Sequence, residues 1–421
     1  MTLQLRPYQR AAIDAIYDYF AVATGHPLIV IPTAGGKSLV MAAFIQEVLA
    51  HWPDERIIIL THVRELISQN FAELIRLWPE APAGIYSAGL NRRDTQAQIL
   101  FAGIQSVHRK AYAIQRADLV LVDEAHLIPR SANTTYRHFL GDLTRINRQL
   151  KIIGLTATPY RLDSGMLHVG PDALFDAIAF EVSVRELIDE GYLAPLTSKR
   201  TSTQLDISGV ATRGGEFVAG QLEAAVDQDP ITQAAMDEVV AYGRDRRSWL
   251  LFCAGVDHAR HVCEAVRSRG FSCATIFGHS PKAERDRIIA AFKREEIRAL
   301  ASMGVLTTGF NAPGVDLIAM LRPTKSTGLY VQMAGRGTRL APGKENCLVL
   351  DFAGNVARHG PIDLVKPKDK THGNGNGEAP TKVCPNCLTI SPLAARSAPT
   401  AATSSPRRRC GSRPRRPPDP F

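Results

Sequence analysis

Ile31-Pro-Thr-Ala-Gly-Gly-Lys-Ser38 follows a short apolar run and leads into a helix-like stretch, Ser38–Ala50. Glycines at a strand-to-helix junction let backbone N–H groups turn inward, and the amino terminus of the helix adds partial positive charge. Such a loop can hold phosphate groups, with Lys37 reaching the β- and γ-phosphates of a nucleotide and Ser38 ligating Mg²⁺. The strict pattern has glycine where Ile31 stands, so an ordinary glycine-containing turn is the alternative.

A second motif, Leu119-Val-Leu-Val-Asp-Glu-Ala-His126, ends an apolar run in two adjacent acids. Asp123 is suited to hold the metal, and Glu124 is suited to polarise an attacking water as general base. The alternative is a solvated acidic turn after a buried strand, and the phosphate loop upstream argues against it. His126 would either couple this site to another domain or cap the end of the strand.

Apolar runs alternate with amphipathic stretches in the first part of the chain and again from Trp249 onward. This order predicts two α/β domains, each a parallel sheet covered by helices on both faces. We expect a first domain at residues 1–165, a connecting segment at 166–245, a second domain at 246–358 and a tail at 359–421. The expected strands are Leu28–Ile31, Ile57–Thr61, Leu119–Val122, Ile152–Leu155, Trp249–Phe252, Ala274–Phe277, Ala299–Ser302, Leu317–Met320 and Leu348–Leu350.

The bulk composition, with 45% hydrophobic and 22% charged residues, is that of a globular protein. No apolar run is long enough to span a bilayer and no apolar signal core is present, so we expect a cytosolic protein without membrane contact. Most of the net charge of +9 lies in the arginine-rich residues 391–421, so charge alone does not indicate nucleic-acid binding. The cysteines expected to be buried and free of disulfides are Cys253, Cys263, Cys273 and Cys347.

Together with the phosphate loop, Asp123-Glu-Ala-His126 resembles the DEAH box of superfamily-two helicases. Leu5-Arg-Pro-Tyr-Gln9 is similar to the Q motif of that family, where the amide of Gln9 would pair with the adenine edge; an ordinary helix start is the alternative. The resemblance implies two tandem RecA-like domains of the P-loop NTPase fold that bind ATP and Mg²⁺. The residues that it implies at the nucleotide are Arg6, Gln9, Thr33, Gly35, Gly36, Lys37 and Ser38.

Three further stretches of the first half resemble family motifs. Thr61-His-Val-Arg-Glu-Leu66 is similar to motif Ia and Gly103-Ile-Gln-Ser-Val107 to motif Ib, which contact the phosphates of a bound strand. Thr156-Ala-Thr-Pro159 is similar to motif III, which couples hydrolysis to the nucleic-acid site. Each match is weak alone, because Thr and Ser are common at strand ends and turns, but the order of the matches is specific. The residues implied at nucleic acid are Thr61, Arg64, Gln105 and Ser106.

In the second half, Thr307-Thr-Gly-Phe-Asn-Ala-Pro-Gly-Val-Asp316 resembles motif V. The resemblance implies that Thr308 and Gly309 contact nucleic acid or relay the closure of the two domains. Asn311 stands where many relatives have aspartate, so the resemblance does not extend to a ribose or metal contact at that position.

Gln332-Met-Ala-Gly-Arg-Gly-Thr-Arg339 resembles motif VI. Arg336 and Arg339 lie three residues apart and therefore share one face of a helical turn. Because negative charge develops on the transferred phosphoryl group, we expect both arginines to reach the γ-phosphate from the second domain, with Gln332 in the same catalytic set. The alternative is a solvated basic end of a helix.

A closer resemblance, over about residues 1–360, is to RadD-like (YejH-like) bacterial DNA-repair ATPases. It implies a sequence-nonspecific motor on single-stranded or branched DNA, with RNA as an alternative, in the bacterial nucleoid or encoded by a phage. It also implies recombination or single-strand-binding proteins as partners. Two alternatives remain open: the motor subunit of a restriction system, and an ATP-switched recombination accessory protein that does not separate strands. The stretches that carry this resemblance are Leu5–Gln9, Leu155–Arg161, Val305–Phe310, Leu340–Lys344 and Leu350–Gly354.

The tail contains Cys384-Pro-Asn-Cys387, which has the spacing of half a zinc ribbon, whereas structural zinc needs four ligands. Only Cys410 follows, among Arg, Pro and Ser residues. Codons for a second Cys-x-x-Cys pair, read one base later, give residues 397–406, so we hypothesise a frameshift just after Arg396. We expect Cys384 and Cys387 to hold zinc weakly or not at all, and the tail to be largely disordered.

Overall fold

The structure is a computed structural model that describes residues 4–131, 133–161, 165–304, 310–365, 381–384 and 388–393. It contains two lobes, each built on a large sheet with helices on both faces. The predicted class, two tandem α/β domains of RecA-like type, is confirmed. In the described part of the chain, no helix has the length and apolarity that a membrane crossing requires.

The first lobe has an eight-stranded sheet in the order β10-β1-β7-β6-β2-β5-β3-β4, and all its pairs are parallel except β3 with β4. Its elements are α1 (Pro7–Val22), β1 (Pro27–Val30), α2 (Lys37–His51), β2 (Ile57–Thr61), α3 (Arg64–Leu77), β3 (Ala83–Ser87), β4 (Arg92–Arg93), β5 (Ile99–Gly103), α4 (Ile104–Val107), α5 (Ala111–Ile114), β6 (Leu119–Asp123), α6 (Thr135–Ile146), β7 (Lys151–Thr156), β8 (Tyr160–Arg161), β9 (Gly165–Met166), β10 (Ala177–Glu181) and α7 (Val184–Asp189).

The second lobe has a six-stranded, all-parallel sheet in the order β11-β18-β17-β14-β16-β15. The elements from this point on are β11 (Leu196–Arg200), β12 (Thr212–Arg213), β13 (Glu216–Phe217), α8 (Ala219–Val226), α9 (Asp229–Gly243), β14 (Trp249–Cys253), α10 (Val256–Ser268), β15 (Cys273–Ile276), α11 (Lys282–Lys293), β16 (Ala299–Ser302), β17 (Leu317–Leu321), α12 (Thr327–Ala334), β18 (Cys347–Asp351), α13 (Asn355–His359), β19 (Thr381–Val383) and β20 (Ile390–Pro392).

The central strands are mostly apolar, with polar residues confined to their ends, because helices cover both faces of each sheet. Every residue of β2, β6 and β14 is buried. Side chains on the two faces of each sheet enter separate apolar cores, so each lobe has a core above and a core below its sheet. The four cysteines that were expected to be buried are buried and free.

The segment predicted to connect the domains, residues 166–245, supplies a strand to each sheet. β10 extends the first sheet beside β1, and β11 forms an edge of the second sheet beside β18. β10 contains the apolar run Ala177–Phe180 but is only partly buried, whereas β11 is polar after Leu196. Neither was among the expected strands, and only for β11 does a polar pattern account for this. The fully buried β5 was not among them either.

Part of the predicted disordered tail is ordered. β19 and β20 form an antiparallel hairpin, and Thr389 beside β20 makes an isolated bridge to Lys199 of β11. Residues 359–365 of the predicted tail are described as well, whereas residues 366–380, 385–387 and 394–421, including the segment of the hypothesised frameshift, lie outside the described residues.

Candidate active site

The phosphate loop joins β1 to α2 at the carboxyl edge of the first sheet. Ala34 has φ of 71° and Gly36 has φ of 82°, so both occupy the left-handed region that glycine favours. A Cβ on Gly35 would lie 2.5 Å from Cγ2 of Ile31. Ile31, which stands where the strict pattern has its first glycine, therefore packs so close to position 35 that only glycine fits there. Lys37 Nζ donates to the carbonyl of Ile31 at 3.2 Å.

The residues of the Q motif pack against the phosphate loop and hydrogen-bond to its backbone. The Gln9 side chain is 2% exposed; its Oε1 accepts from the N–H of Arg6 at 3.0 Å, and its Nε2 donates to the carbonyl of Gly35 at 3.4 Å. Tyr8 Oη donates to the same carbonyl at 2.7 Å. The Arg6 guanidinium lies 4.8 Å from the centre of the Tyr192 ring. The amide of Gln9 is thus held against the phosphate loop, and an adenine contact stays a prediction.

The two acids end β6 beside the loop. Glu124 has φ of 53°, a strained conformation for a residue with a side chain and one that recurs at functional sites. Asp123 accepts from the N–H of Glu124 at 3.0 Å and from Nδ2 of Asn70 at 2.8 Å. Burial and the neighbouring Glu124 raise the pKa of Asp123. Ser38 Oγ donates to Oδ1 of Asn70 at 2.6 Å, so Asn70 links the two predicted metal ligands.

The donor set at this point suits Mg²⁺. Ser38 and Asp123 offer hard oxygen ligands, and Mg²⁺ is commonly held by one or two protein oxygens together with substrate phosphates and waters. Oε2 of Glu124 is buried and accepts no hydrogen bond from the described residues, which leaves it available to water or substrate. Nδ1 of His126 lies 3.4 Å from this oxygen.

His126 connects the acids to the second lobe. Its Nδ1 lies 3.0 Å from Oγ1 of Thr156, which itself donates to the carbonyl of Thr158 at 2.9 Å. The threonine oxygen must therefore accept, so Nδ1 carries the proton and Nε2 is the acceptor for the Gln332 amide at 3.3 Å. Burial and the charge of Lys37 lower the pKa of His126 to about 3, so the ring is neutral. The geometry favours coupling between domains over a simple strand cap.

Both motif VI arginines face the first lobe across the cleft. Arg336 is 6% exposed, and its Nη1 donates to the carbonyl of Phe310 at 2.5 Å; Nη1 of Arg339 donates to the same carbonyl at 3.2 Å. Burial, with repulsion from Arg339, lowers the pKa of Arg336 to about 9, and burial lowers the pKa of Arg339 to about 10. Both stay protonated at neutral pH. The two arginines therefore do not form a solvated basic end of a helix.

A cleft of about 490 Å³ is lined by predicted catalytic groups of both lobes, whereas His126 and Gln332 of the predicted set lie outside its lining. The lobes also touch at its rim. A Cβ on Gly335 would lie 2.8 Å from Cβ of Thr33 in the phosphate loop, and Arg285 of α11 pairs with Glu65 of α3 at 3.0 Å. The lining side chains that bear on the chemistry are Thr33, Lys37, Ser38, Asp123, Glu124, Asn311, Arg336 and Arg339.

The predicted nucleic-acid residues lie at the same carboxyl edge of the first sheet. Thr61 is 1% exposed at the end of β2, and its Oγ1 accepts from the N–H of Val63 at 3.5 Å, so its hydroxyl is not presented to solvent. Arg64 begins α3 and is partly exposed, Gln105 is exposed, and Ser106 accepts from the N–H of Ala88 at 2.9 Å. Contact with a strand stays a prediction for these four. Thr308 and Gly309 lie outside the described residues.

The zinc prediction concerns two cysteines of which only Cys384 is described; Cys387 lies outside the described residues. The N–H of Cys384 donates to the carbonyl of Thr389 at 3.0 Å within the tail hairpin. Among the side chains whose positions are described, no three His, Cys, Asp or Glu groups are arranged to hold a metal ion.

Two RecA-like lobes with a phosphate loop and paired acids on one side and arginines on the other define the class of tandem P-loop NTPases. Two sequence families match the chain: Type III restriction enzyme, res subunit, over residues 2–161, and Helicase conserved C-terminal domain over residues 233–341. The chain thus carries two tandem helicase domains.

Among proteins of similar sequence, Irc3 of Saccharomyces cerevisiae, named as an ATP-dependent helicase, is 28% identical over 361 residues. The match covers 83% of this chain and 51% of the yeast protein, so the chain spans about half the length of that relative.

Two solved structures share the fold. A fragment of an HsdR subunit of a type I restriction enzyme from Vibrio vulnificus YJ016 aligns with a TM-score of 0.65 at 21% identity, over 86% of this chain and 67% of that one. The type ISP restriction-modification enzyme LlaBIII bound to DNA aligns with a TM-score of 0.60 at 15% identity, over 84% of this chain and 28% of that one.

Proposed function

We propose that this protein is a nucleic-acid-dependent ATPase that uses ATP hydrolysis to move along or remodel DNA. The observation that carries the proposal is the composite cleft, in which Lys37 and the acids of one lobe face Arg336 and Arg339 of the other. Phosphoryl transfer requires positive charge around the γ-phosphate and a positioned water, and the cleft supplies both only when the lobes are together.

Each residue of the cleft has a distinct part in the reaction. Lys37 binds the β- and γ-phosphates, Glu124 accepts a proton from the attacking water, and the two arginines stabilise the charge that develops on the phosphoryl group. Ser38 and Asp123 would hold Mg²⁺, which supplies charge neutralisation at the phosphates when bound. Gln332 of the second lobe hydrogen-bonds to His126, and His126 hydrogen-bonds to Thr156 of motif III. A movement of the second lobe would therefore be transmitted through His126 to motif III.

The proposed polynucleotide is DNA, single-stranded or branched, bound without sequence preference. The similarity to Irc3 and the fold shared with DNA-bound LlaBIII support a nucleic-acid motor and DNA as its track. Arg64, Gln105 and Ser106 of motifs Ia and Ib lie at one edge of the sheet, where they would meet the phosphates of a strand, whereas the hydroxyl of Thr61 is buried. Such contacts set position and carry no sequence information.

The proposed role is DNA repair or recombination in the bacterial cytoplasm or a phage-infected cell, in association with recombination or single-strand-binding proteins. The resemblance to RadD-like ATPases supports this role. Its test is whether deletion of the gene sensitises the host to DNA damage and whether a Lys37→Ala copy fails to restore resistance. Full rescue by the Lys37→Ala copy would refute an ATP-driven role.

The direct test of the biochemical proposal is the ATPase rate of the purified chain with single-stranded DNA, duplex DNA or RNA, alongside a fluorescent unwinding assay. Stimulation by DNA well above the rate without polynucleotide supports the proposal. Equal rates with and without any polynucleotide would refute it, and stimulation by RNA alone would refute the choice of DNA. Stimulation without unwinding would identify a translocating or ATP-switched protein.

The motor of a restriction system is a second candidate, favoured by the match of residues 2–161 to the res subunit of type III restriction enzymes. Such a motor would depend on a partner for cleavage and for choice of sequence. The chain alone should then show little ATPase stimulation by any DNA, and stimulation that appears only with a sequence-recognising partner would favour this candidate. Strong stimulation of the purified chain alone by unrelated duplex sequences would exclude it.

A further inference from the structure

Asn70 lies between the two protein groups that are predicted to hold Mg²⁺, although no sequence motif pointed to it. It is on α3 and is 2% exposed. Its Oδ1 accepts from Oγ of Ser38 at 2.6 Å, and its Nδ2 donates to Oδ2 of Asp123 at 2.8 Å. The serine hydroxyl donates and the carboxylate accepts, so the network itself fixes which way the amide points.

These two hydrogen bonds determine how the ligands present their lone pairs. A serine hydroxyl whose proton is directed at Asn70 turns its lone pairs away from Asn70. On the carboxylate, Nδ2 of Asn70 engages Oδ2 and the N–H of Glu124 engages Oδ1, which fixes the plane of the group. Outer groups that orient ligands in this way typically contribute 10- to 100-fold to metal affinity.

We propose that Asn70 is a positioning residue for the metal–nucleotide complex, acting through Ser38 and Asp123. The inference rests on the proposed function and adds a residue of α3 to the ATP site. Arg64 begins the same helix, and Glu65 near its start contacts Arg285 of the second lobe. Six residues of helix, about 9 Å, separate Arg64 from Asn70. A shift of α3 at its amino end therefore displaces the groups that orient the metal ligands.

The test is the affinity of the full chain for Mn²⁺, measured by electron paramagnetic resonance in the presence of a non-hydrolysable ATP analogue. Asn70→Ala is expected to weaken Mn²⁺ binding at least tenfold and to raise the Mg²⁺ concentration that half-saturates ATPase activity. Binding of a fluorescent ATP analogue in EDTA should change less than twofold, because the asparagine acts on the metal ligands and not on the phosphate loop.

Asn147→Ala is the matched control. Asn147 also donates to a carboxylate, Oδ1 of Asp118, and to the carbonyl of Ala117, both at 2.9 Å, but it lies beyond α6, away from the lining of the cleft. It should leave Mn²⁺ affinity within twofold of wild type. If Asn70→Ala melts well below this control, Asn70→Leu provides the same test, because it fills the space without either hydrogen bond.

Wild-type Mn²⁺ affinity in a folded Asn70→Ala or Asn70→Leu protein would overturn the inference. An equal loss in Asn147→Ala would also overturn it, since the effect would then be one of general stability. Absence of ATP hydrolysis by the wild-type chain would instead overturn the proposed function, so the two failures are distinguishable.

Discussion

At the scale of single residues, the phosphate loop depends on positions that tolerate no side chain. Gly36 combines φ of 82° with a Cβ position 2.5 Å from Nε2 of Gln9. A left-handed conformation costs most residues roughly 1–2 kcal/mol, and here the new methyl group would also push against the buried amide. The Q motif and the phosphate loop therefore constrain each other's residues.

Gly36→Ala is expected to abolish binding of an ATP analogue at concentrations that saturate wild type, because the added methyl group would push the phosphate loop away from the buried amide of Gln9. Fluorescence titration with the analogue measures this. Gly220→Ala is the control, since its Cβ would meet no atom within 4 Å. Tight binding by Gly36→Ala would show that the loop geometry is not required.

Lys37→Ala should remove ATPase activity through loss of phosphate contact, whereas Glu124→Gln should retain ATP and fail to hydrolyse it. The difference follows because the lysine binds phosphate and the glutamate serves only the attacking water. Turnover assays together with nucleotide-binding measurements distinguish the two. Wild-type turnover in either variant would contradict the assignment.

Acid sensitivity should arise in part from His258, which is 1% exposed and accepts from the N–H of Ala254 at 3.3 Å. Burial lowers the pKa of His258 to about 4, below the unfolded value near 6.5. As pH falls, His258 is therefore protonated in the unfolded chain before it is protonated in the folded chain. The free energy of unfolding falls as pH drops from 6.5 toward 4, and at pH 5 this loss is about 2 kcal/mol. His258→Asn should show a smaller loss of melting temperature between pH 7 and 5. An unchanged loss would show that His258 is not the titrating group.

At the scale of secondary-structure elements, the interface between α3 and α11 joins the lobes through Glu65 and Arg285. The side chain of Arg285 is 10% exposed and that of Glu65 is 38% exposed, so the pair is only partly screened by solvent. Glu65 also contacts Arg64 at 3.1 Å. The pair therefore adds a modest electrostatic term to lobe closure.

Arg285→Glu alone should raise the ATP concentration that half-saturates the ATPase by up to about fivefold. This factor corresponds to the loss of an ion pair that contributes about 1 kcal/mol. The double variant Glu65→Arg, Arg285→Glu should recover part of that loss. Arg287→Glu, on the exposed side of the same helix, is the control. No recovery in the double variant would mean that the pair does not contribute to closure.

The sequence predicted most of the strands whose burial is complete. β2, β6 and β14 are apolar up to the polar ends Thr61 and Asp123, because both faces of the sheets are covered. β5 is buried at every position as well, and it was not predicted. The edge strand β11 was not predicted because its partly exposed residues after Leu196 are polar. The edge strand β10 was not predicted either, although its residues Ala177–Phe180 are apolar.

The motif residues of the site were identified from their spacing and order. Asn70 was not, because an asparagine in an amphipathic helix resembles a solvated face until the rotation of the helix is known. The packing of Tyr8 and Tyr192 around the phosphate loop likewise depends on contacts between distant segments.

At the scale of the whole molecule, catalysis depends on two lobes that are each incomplete. The first lobe carries the phosphate loop and the acids, and the second carries the arginines. Gly335 permits a close approach of the two lobes, because any side chain there would collide with Thr33 of the phosphate loop. ATP binding and hydrolysis should therefore be separable, the first assigned to one lobe and the second to the closed pair.

The measurement that tests this account most directly compares ATP hydrolysis and ATP-analogue binding in Arg336→Ala, with Arg260→Ala, a half-exposed arginine of the second lobe, as control. The account predicts analogue affinity within a few-fold of wild type and a loss of hydrolysis of about 10³-fold or more, the range for arginines that reach a transferring phosphoryl group. Hydrolysis by Arg336→Ala at the rate of wild type and of the control would contradict it.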